Sequence, residues 1–256
     1  MNSELIVHAA DLISQADARV IAAGAGMGVD SGLPDFRGNA GFWKAYPALA
    51  KAGLDFTRVA SPRTFDTDPD LAWGFYGHRL GLYRNTVPHE GFATFRRWSE
   101  RMDFGAFVFT GNVDGEFQRA GFPDSDIYEC HGSIHWLQCA RPCGDHLWPA
   151  SELVPVIDDD ACRWLGEVPT CPRCDALARP NILMFGDGAW AEQRTAQQQA
   201  RLATWLRRAH RPVVVELGEG SYIASVRHFS EQVVHGHGGR LVHINPPHAS
   251  RKSRRS

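Results

Sequence analysis

The stretch GAGMGVDSGLPDFRG, residues 24–38, directly follows the apolar run VIAA and suggests how the chain folds. A glycine-rich turn after a buried strand lets backbone N–H groups approach a phosphate, as in nucleotide-binding sheets. The stretch departs from the common G-x-G-x-x-G fingerprint, because Val29 stands where the third glycine belongs. It also continues directly into Asp35 and Arg37, so two charged side chains follow a turn that is predicted to hold phosphate.

The length and the net charge of the chain limit the number of domains and the kinds of partner that we expect. The 256 residues are enough for one large domain, or for one domain with a small insert. A formal net charge of −2 gives no strong field that would attract nucleic acid or a membrane surface. The amino-terminal residues lack the pattern of a signal peptide, and no apolar stretch approaches the roughly 18 residues of a membrane span. We therefore expect a cytoplasmic protein that binds neither membranes nor nucleic acid.

Predicted strands and helices alternate along most of the chain. The pattern predicts helices over residues 4–17, 69–85, 89–101, 191–210 and 223–238, with apolar strands between most of them. Such alternation is typical of an α/β fold with a doubly wound parallel sheet. Residues 136–179 differ, because they are rich in cysteine and proline and show little periodicity. This segment is predicted to be an inserted module that something other than an apolar core holds together.

Polar or glycine residues follow four of the predicted strands. In doubly wound sheets, ligands bind at the carboxyl ends of the strands, so these positions predict a nucleotide site. Asn112 and Asp114 offer an amide and a carboxylate that suit ribose hydroxyls or a carboxamide; the alternative is that they cap the next helix. The four strand ends are Gly24-Ala25-Gly26, Thr110 to Asp114, Gly218 to Ser221, and Asn245.

Four cysteines form two closely spaced pairs, Cys139-x-x-x-Cys143 and Cys171-x-x-Cys174. Two such pairs are typical of a tetrahedral Zn²⁺ site, which is closed to substrate when all four ligands are thiolates. We therefore expect a structural zinc ion, the alternative being free core cysteines. His131 follows a strand and could act as a general base near the nucleotide, because an imidazole titrates close to neutral pH. The alternative for this side chain is a purely structural histidine.

Together these blocks resemble the sirtuins, the NAD-dependent protein lysine deacylases. The matches are GAGMGVDSGLPDFRG, TGNVDGEFQRAGF, ECHGS, the two cysteine pairs, RPNILMFGD and INP, in the family's order over about residues 18–246. The resemblance implies a Rossmann-like NAD-binding domain and a smaller domain, with acylated protein lysine as the substrate. The implied division is 1–37, 96–135 and 180–256 for the large domain, 38–95 for the cofactor loop and helical segment, and 136–179 for the zinc module.

The resemblance also implies roles for individual residues. His131 is the general base, and Asn112 and Asp114 hold the nicotinamide ribose and carboxamide. The acyl oxygen attacks the anomeric carbon as nicotinamide departs, and the base then activates a ribose hydroxyl, so that lysine and O-acyl-ADP-ribose are the products. The remaining cofactor contacts fall on Gly24, Ala25, Gly26, Asp35, Phe36, Arg37, Gly218, Ser221 and Asn245.

Tyr76-x-x-Arg79 resembles the Tyr-x-x-Arg of sirtuins that remove succinyl, malonyl or glutaryl groups. On a helix, these two residues lie one turn apart on one face, so Arg79 could pair with a distal carboxylate of the acyl chain. The alternative is a surface arginine on an amphipathic helix.

The chain departs from the family pattern at three places. Gly111 stands where the family usually has glutamine, and Glu219 would bring a carboxylate close to the pyrophosphate unless it points away. The chain also ends soon after Asn245, where the family has a further loop and helix, so either NAD affinity is reduced or the chain is shortened. These departures keep two alternatives open, a mono-ADP-ribosyltransferase or NAD hydrolase, and a catalytically weak sensor of NAD or ADP-ribose.

Overall fold

The computed structural model describes residues 3–34, 39–219 and 224–245. Within these ranges the chain forms strands, α-helices and two short 3-10 helices, Ala25–Ser31 and Asp124–Asp126. The strands are β1 (Ala18–Ala23), β2 (Ala106–Thr110), β3 (Ile127–Glu129), β4 (Gly132–Cys139), β5 (Leu147–Pro149), β6 (Ile157–Asp158), β7 (Arg163–Trp164), β8 (Ala178–Ile182), β9 (Pro212–Leu217) and β10 (Arg240–Ile244). The helices are α1 (Ser3–Ser14), α2 (Asn39–Ala45), α3 (Pro47–Lys51), α4 (Phe56–Val59), α5 (Pro62–Thr67), α6 (Pro69–Asn85), α7 (Glu90–Ser99), α8 (Glu116–Arg119), α9 (Gln193–Leu206) and α10 (Ser225–His237).

The larger sheet has five parallel strands in the order β10-β9-β1-β2-β3. Strand β1 lies at its centre, and all six of its residues are buried, as its apolar sequence predicts. Successive side chains of β1 pack into two different apolar cores, one on each face of the sheet. Val20 and Ala22 pack with residues of α9 and α10, whereas Ile21 and Ala23 pack with residues of α7 and α8. The predicted parallel sheet with helices on both faces is therefore confirmed.

A second, antiparallel sheet has the order β5-β4-β8, and β6 pairs with β7 in a separate hairpin. A third apolar core joins these strands to α2, α3, α5 and α6. Strand β8 was predicted from its sequence, and it pairs with β4 of this smaller sheet. The division of the chain into three domain segments stays a prediction.

Helix α6 spans the residues that the periodicity predicts, 69–85. It begins there because the carboxylate of Asp68 accepts a hydrogen bond from the N–H of Leu71 at 3.3 Å, and Pro69 suits the first helical position. The other long predicted helices form with bounds that differ by a few residues; α1 ends at Ser14 instead of residue 17. Among the described residues, no helix has the length and apolar character that a membrane crossing requires.

Candidate active site

The carboxyl ends of three neighbouring parallel strands bring the predicted polar residues together. Gly24 follows β1, Gly111 follows β2 and Gly218 follows β9, and these strands are adjacent in the sheet. Hydrogen bonds connect the turns: the N–H of Gly26 donates to the carbonyl of Gly218 at 2.9 Å, and the N–H of Gly111 donates to Ala23 at 3.1 Å. The strand ends therefore form one continuous surface.

Glycine is required where the first and last of these turns touch. A Cβ atom on Gly24 would lie 2.7 Å from the carbonyl oxygen of Gly218. Gly218 has a φ of +58°, and a Cβ there would lie 2.2 Å from the backbone nitrogen of Met27. Both distances are too short for real atoms, so the close approach of the two backbones explains the glycines that the sequence shows.

A cavity of about 500 Å³ opens beside these turns. One side is polar and includes Asn112, Asp114 and His131, together with Ala25 at the start of the first 3-10 helix. Another part of the lining is mainly apolar and comes from residues 182–186, which lie at the end of β8 in the smaller sheet and directly after it. The cavity thus lies between the parallel sheet and the small antiparallel sheet, and both contribute to it.

Asn112 and Asp114 are held differently within this cavity. The side-chain amide of Asn112 donates to the carbonyl of Gly24 at 3.1 Å, so it links the ends of β1 and β2. Asp114 is buried, and its carboxylate accepts a hydrogen bond from the N–H of Glu116 at 2.9 Å. Burial raises the pKa of Asp114 to about 7, although the hydrogen bond from Glu116 acts in the opposite direction. The carboxyl group is therefore able to donate or accept near neutral pH.

His131 lies at the edge of the cavity in a defined tautomer. Its Nδ1 atom is 3.0 Å from the carbonyl oxygen of Gly111, which can only accept a hydrogen bond. Nδ1 therefore carries the proton of the neutral ring, and Nε2 keeps the lone pair. Burial lowers the pKa of His131, while the hydrogen bond to Gly111 opposes that shift. The ring is thus neutral at neutral pH and has its basic nitrogen at Nε2.

Tyr76 and Arg79 both line the cavity from helix α6. Arg79 is only 7% exposed, so the alternative of a surface arginine is wrong. Its Nε and one terminal nitrogen donate to the hydroxyl of Tyr83 at 2.9 and 2.7 Å, and its guanidinium lies 5.2 Å from the ring centre of Phe75. Burial raises the pKa of Tyr76 to about 12, so that hydroxyl stays protonated. The cavity therefore has one cationic wall.

The four paired cysteines meet in space. Their sulfur atoms all lie within 4.8 Å of one another, with 3.7 Å between Cys139 and Cys174 and 3.6 Å between Cys143 and Cys171. A tetrahedron with Zn–S bonds of about 2.3 Å has sulfur–sulfur edges of about 3.8 Å, so the cluster is positioned to bind a zinc ion. Four thiolates complete the coordination shell, which makes the site structural.

A model of the Sir2 family matches residues 24–206, which is more than half of the chain. The chain belongs to the Sir2 family. An NAD-dependent protein deacylase of Thermococcus kodakarensis is 28% identical to it over 243 residues, with 94% of this chain and 84% of that protein covered. An NAD-dependent protein deacetylase of Caldivirga maquilingensis is 30% identical over 224 residues, with 87% and 75% covered. A crystal structure of a Sir2 homologue in complex with NAD has a TM-score of 0.71 at 25% identity, with 96% of this chain and 83% of that chain covered.

Some predicted cofactor residues of this Sir2 chain lie outside the described residues, namely Asp35, Phe36, Arg37 and Ser221. Asn245 lies after β10, where its amide donates to the backbone carbonyl of Glu219 at 2.9 Å. The carboxylate of Glu219 lies 3.8 Å from the guanidinium of Arg227, which also pairs with Glu216. The charge of Glu219 is thus directed toward a cation on α10.

The Sir2 cavity also uses residues that sequence reasoning missed. The hydroxyl of Tyr83 accepts a hydrogen bond from the guanidinium of Arg79. The sequence feature that could have predicted this contact is the spacing of four residues on one helix. Asp187 forms a buried bidentate pair with Arg179 at 2.7 and 2.9 Å and also accepts from the N–H of Met184, so it fixes the apolar wall. It is the last residue of RPNILMFGD, a block that was read as a strand and matched to the family without a role for Asp187.

Proposed function

We propose that this chain is an NAD-dependent protein lysine deacylase, which consumes one water molecule, moves an acyl group from lysine to the ADP-ribose part of NAD and releases nicotinamide. The names of the two relatives support this reaction class. The observation that carries the proposal is the single cavity that joins Asn112, Asp114 and His131 to an apolar wall. One site thus offers groups for a nucleotide and space for an acyl chain.

The residues of the cavity fit NAD. An amide, a carboxyl group and an imidazole are suitable partners for ribose hydroxyls and a carboxamide. The turns at Gly24 and Gly218 contact each other without intervening side chains, so backbone atoms lie next to the strand ends, where a phosphate would bind in this proposal. When bound, NAD supplies the glycosidic bond between nicotinamide and ribose. In this proposal Asn112 and Asp114 orient the nicotinamide end. The other cofactor contacts are Gly24, Ala25, Gly26, Asp35, Phe36, Arg37, Gly218, Ser221 and Asn245.

His131 is the general base of the proposed reaction. It is neutral at neutral pH because burial lowers its pKa, and its Nδ1–H is engaged by Gly111. Nε2 therefore accepts the proton of a hydroxyl group in the cavity. The mainly apolar residues 182–186 line the same cavity, and in this proposal they shield the glycosidic bond from direct attack by water, which would give free ADP-ribose.

We also propose a preference for acidic acyl groups such as succinyl or malonyl. Arg79 places a buried guanidinium at the wall of the cavity, 5.8 Å from the ring centre of Tyr76, which lines the same cavity. A distal carboxylate would gain charge-assisted hydrogen bonds at this wall, whereas an acetyl group reaches no such partner. Tyr83 supports the arrangement because its hydroxyl fixes the fork of the guanidinium.

The reaction class is tested by incubating the protein with NAD and acetyl- and succinyl-lysine peptides and analysing the products by mass spectrometry. The proposal predicts nicotinamide, free lysine peptide and O-acyl-ADP-ribose, with the acyl product absent for His131→Ala. ADP-ribosylated protein or free ADP-ribose without deacylation would instead support the transferase or NAD hydrolase. Binding of NAD without any nicotinamide release would support a sensor.

The acyl preference is tested with Arg79→Met. Loss of a charge-assisted hydrogen bond of ~2–3 kcal/mol predicts a decrease of about 30- to 150-fold in kcat/KM for succinyl peptide. Deacetylation is expected to change by less than about threefold. Arg79→Lys is the matched control, since it keeps the charge, and it should retain part of the succinyl activity. An equal loss of both activities in Arg79→Met would refute the preference.

A further inference from the structure

The hydroxyl of Ser225, the first residue of α10, approaches the basic nitrogen of His131. Its Oγ atom lies 3.2 Å from Nε2. Since Nδ1 of the neutral ring already donates to the carbonyl of Gly111, the Ser225 hydroxyl is the donor to Nε2. The imidazole is therefore held at both nitrogens, by the end of β2 on one side and by the start of α10 on the other.

The packing of α10 fixes where Ser225 lies. The neighbouring Val226 is buried in the core that α10 shares with the parallel sheet. One turn further along the helix, Phe229 stacks on Phe109 of β2 with ring centres 3.9 Å apart and an angle of 7° between the planes. The start of α10 thus packs on β2, the strand that Gly111 follows, and this packing positions Ser225 relative to the Gly111 carbonyl.

The absence of a side chain at Gly111 makes room for this orientation of the ring. A Cβ atom there would lie 3.3 Å from Cε1 and 3.4 Å from Nδ1 of His131, closer than most real contacts. The imidazole ring therefore occupies space that a side chain at position 111 would need. Its orientation depends on the Gly111 carbonyl and on the Ser225 hydroxyl.

We propose that Ser225 is a positioning residue for His131, and this inference rests on the proposed deacylase function. A serine hydroxyl can donate to the neutral Nε2 and can accept from Nε2–H once the ring has gained a proton. The lone pair serves one donor at a time, so the hydroxyl of Ser225 holds the ring until a substrate hydroxyl takes its place. No net proton passes to the serine in this cycle.

The positioning role of Ser225 predicts a kinetic effect that a general loss of protein stability would not produce. Departure of nicotinamide precedes the use of the base, so it does not depend on how His131 is oriented. For Ser225→Ala we expect acyl transfer to slow by about three- to tenfold, the effect of one neutral hydrogen bond, with the nicotinamide released in the first turnover unchanged in rate. Ser225→Thr keeps a hydroxyl and should restore most of the rate.

The test combines rates with a spectroscopic signature of the ligand-free protein. The ¹⁵N resonance of Nε2, assigned among the 12 histidines by its loss in His131→Ala, should move in Ser225→Ala toward that of a nitrogen that accepts no hydrogen bond. An unmoved resonance, or an equal slowing of nicotinamide release in the first turnover, would overturn the inference. Lack of deacylation in the wild type would instead refute the proposed function.

Discussion

Replacing Asp114 with asparagine should make the folded protein more stable and less active. The buried carboxyl group has a pKa of about 7, compared with 3.8 for an ordinary aspartate. Between these values the unfolded chain releases a proton that the folded protein retains, so the contribution of Asp114 to stability is present at low pH and is lost as pH rises through about 7. Asparagine resembles the protonated carboxyl group and keeps an oxygen for the N–H of Glu116.

The size of the effect follows from the two pKa values. At about 1.4 kcal/mol per tenfold change in proton affinity, the difference between 3.8 and about 7 amounts to ~4 kcal/mol of unfolding free energy at pH 8. The same titration gives ~1.6 kcal/mol at pH 5, because only part of the interval has then been crossed. The advantage of Asp114→Asn should therefore grow by ~2.5 kcal/mol between pH 5 and pH 8.

Urea unfolding of the wild type and Asp114→Asn at pH 5 and pH 8 measures this difference. Asp103→Asn is the control, since it removes the same charge from an exposed position. We expect the control to change stability by less than about 0.5 kcal/mol at either pH. An advantage of Asp114→Asn that is equal at both pH values, or a variant that is less stable at pH 8, would refute the reasoning.

Three further predictions follow from the site. Removing zinc by chelation, or replacing Cys174 with serine, should abolish activity and lower Tm, because the cluster holds the small sheet that forms one wall of the cavity. Cys162 is not part of the cluster, so the control variant Cys162→Ala should keep one zinc per chain by metal analysis. Gly111→Ala should slow deacylation several-fold in steady-state kinetics by displacing His131, whereas Gly81→Ala, with open space around it, should not. In Asp114→Asn, which lacks the cavity carboxyl group that titrates near pH 7, the acidic limb of the pH profile of kcat/KM should lie below pH 6.5, because burial lowers the pKa of His131, and a limb above that value would contradict its role.

The sequence predicted the parallel sheet well because the relevant signals are local. A buried strand followed by a glycine turn, as at Gly24, requires little knowledge of the rest of the molecule. The same holds for the cysteine pairs, whose short spacings already imply a shared metal. The placement of β8 was not accessible in this way, because the sequence of so short a strand has no feature that selects parallel or antiparallel partners.

The residues around Arg79 show where sequence reasoning stops. A charged residue on a helix normally faces solvent. The aromatic residues that enclose Arg79 come from the same helix, and the sequence of that helix does not separate clearly into an apolar face and a polar face. Only the tertiary packing shows that this face is buried. The bond between Ser225 and His131 likewise joins residues far apart in the chain, and no motif connects them.

The stoichiometry of the reaction tests the central claim most directly. The protein is incubated with NAD and a succinyl-lysine peptide labelled in the acyl group, and all products are quantified together. The account predicts equal amounts of nicotinamide, free lysine peptide and labelled acyl-ADP-ribose, with no labelled ADP-ribose product from His131→Ala. Nicotinamide release without transfer of the label, or equal label transfer by wild type and His131→Ala, would contradict it.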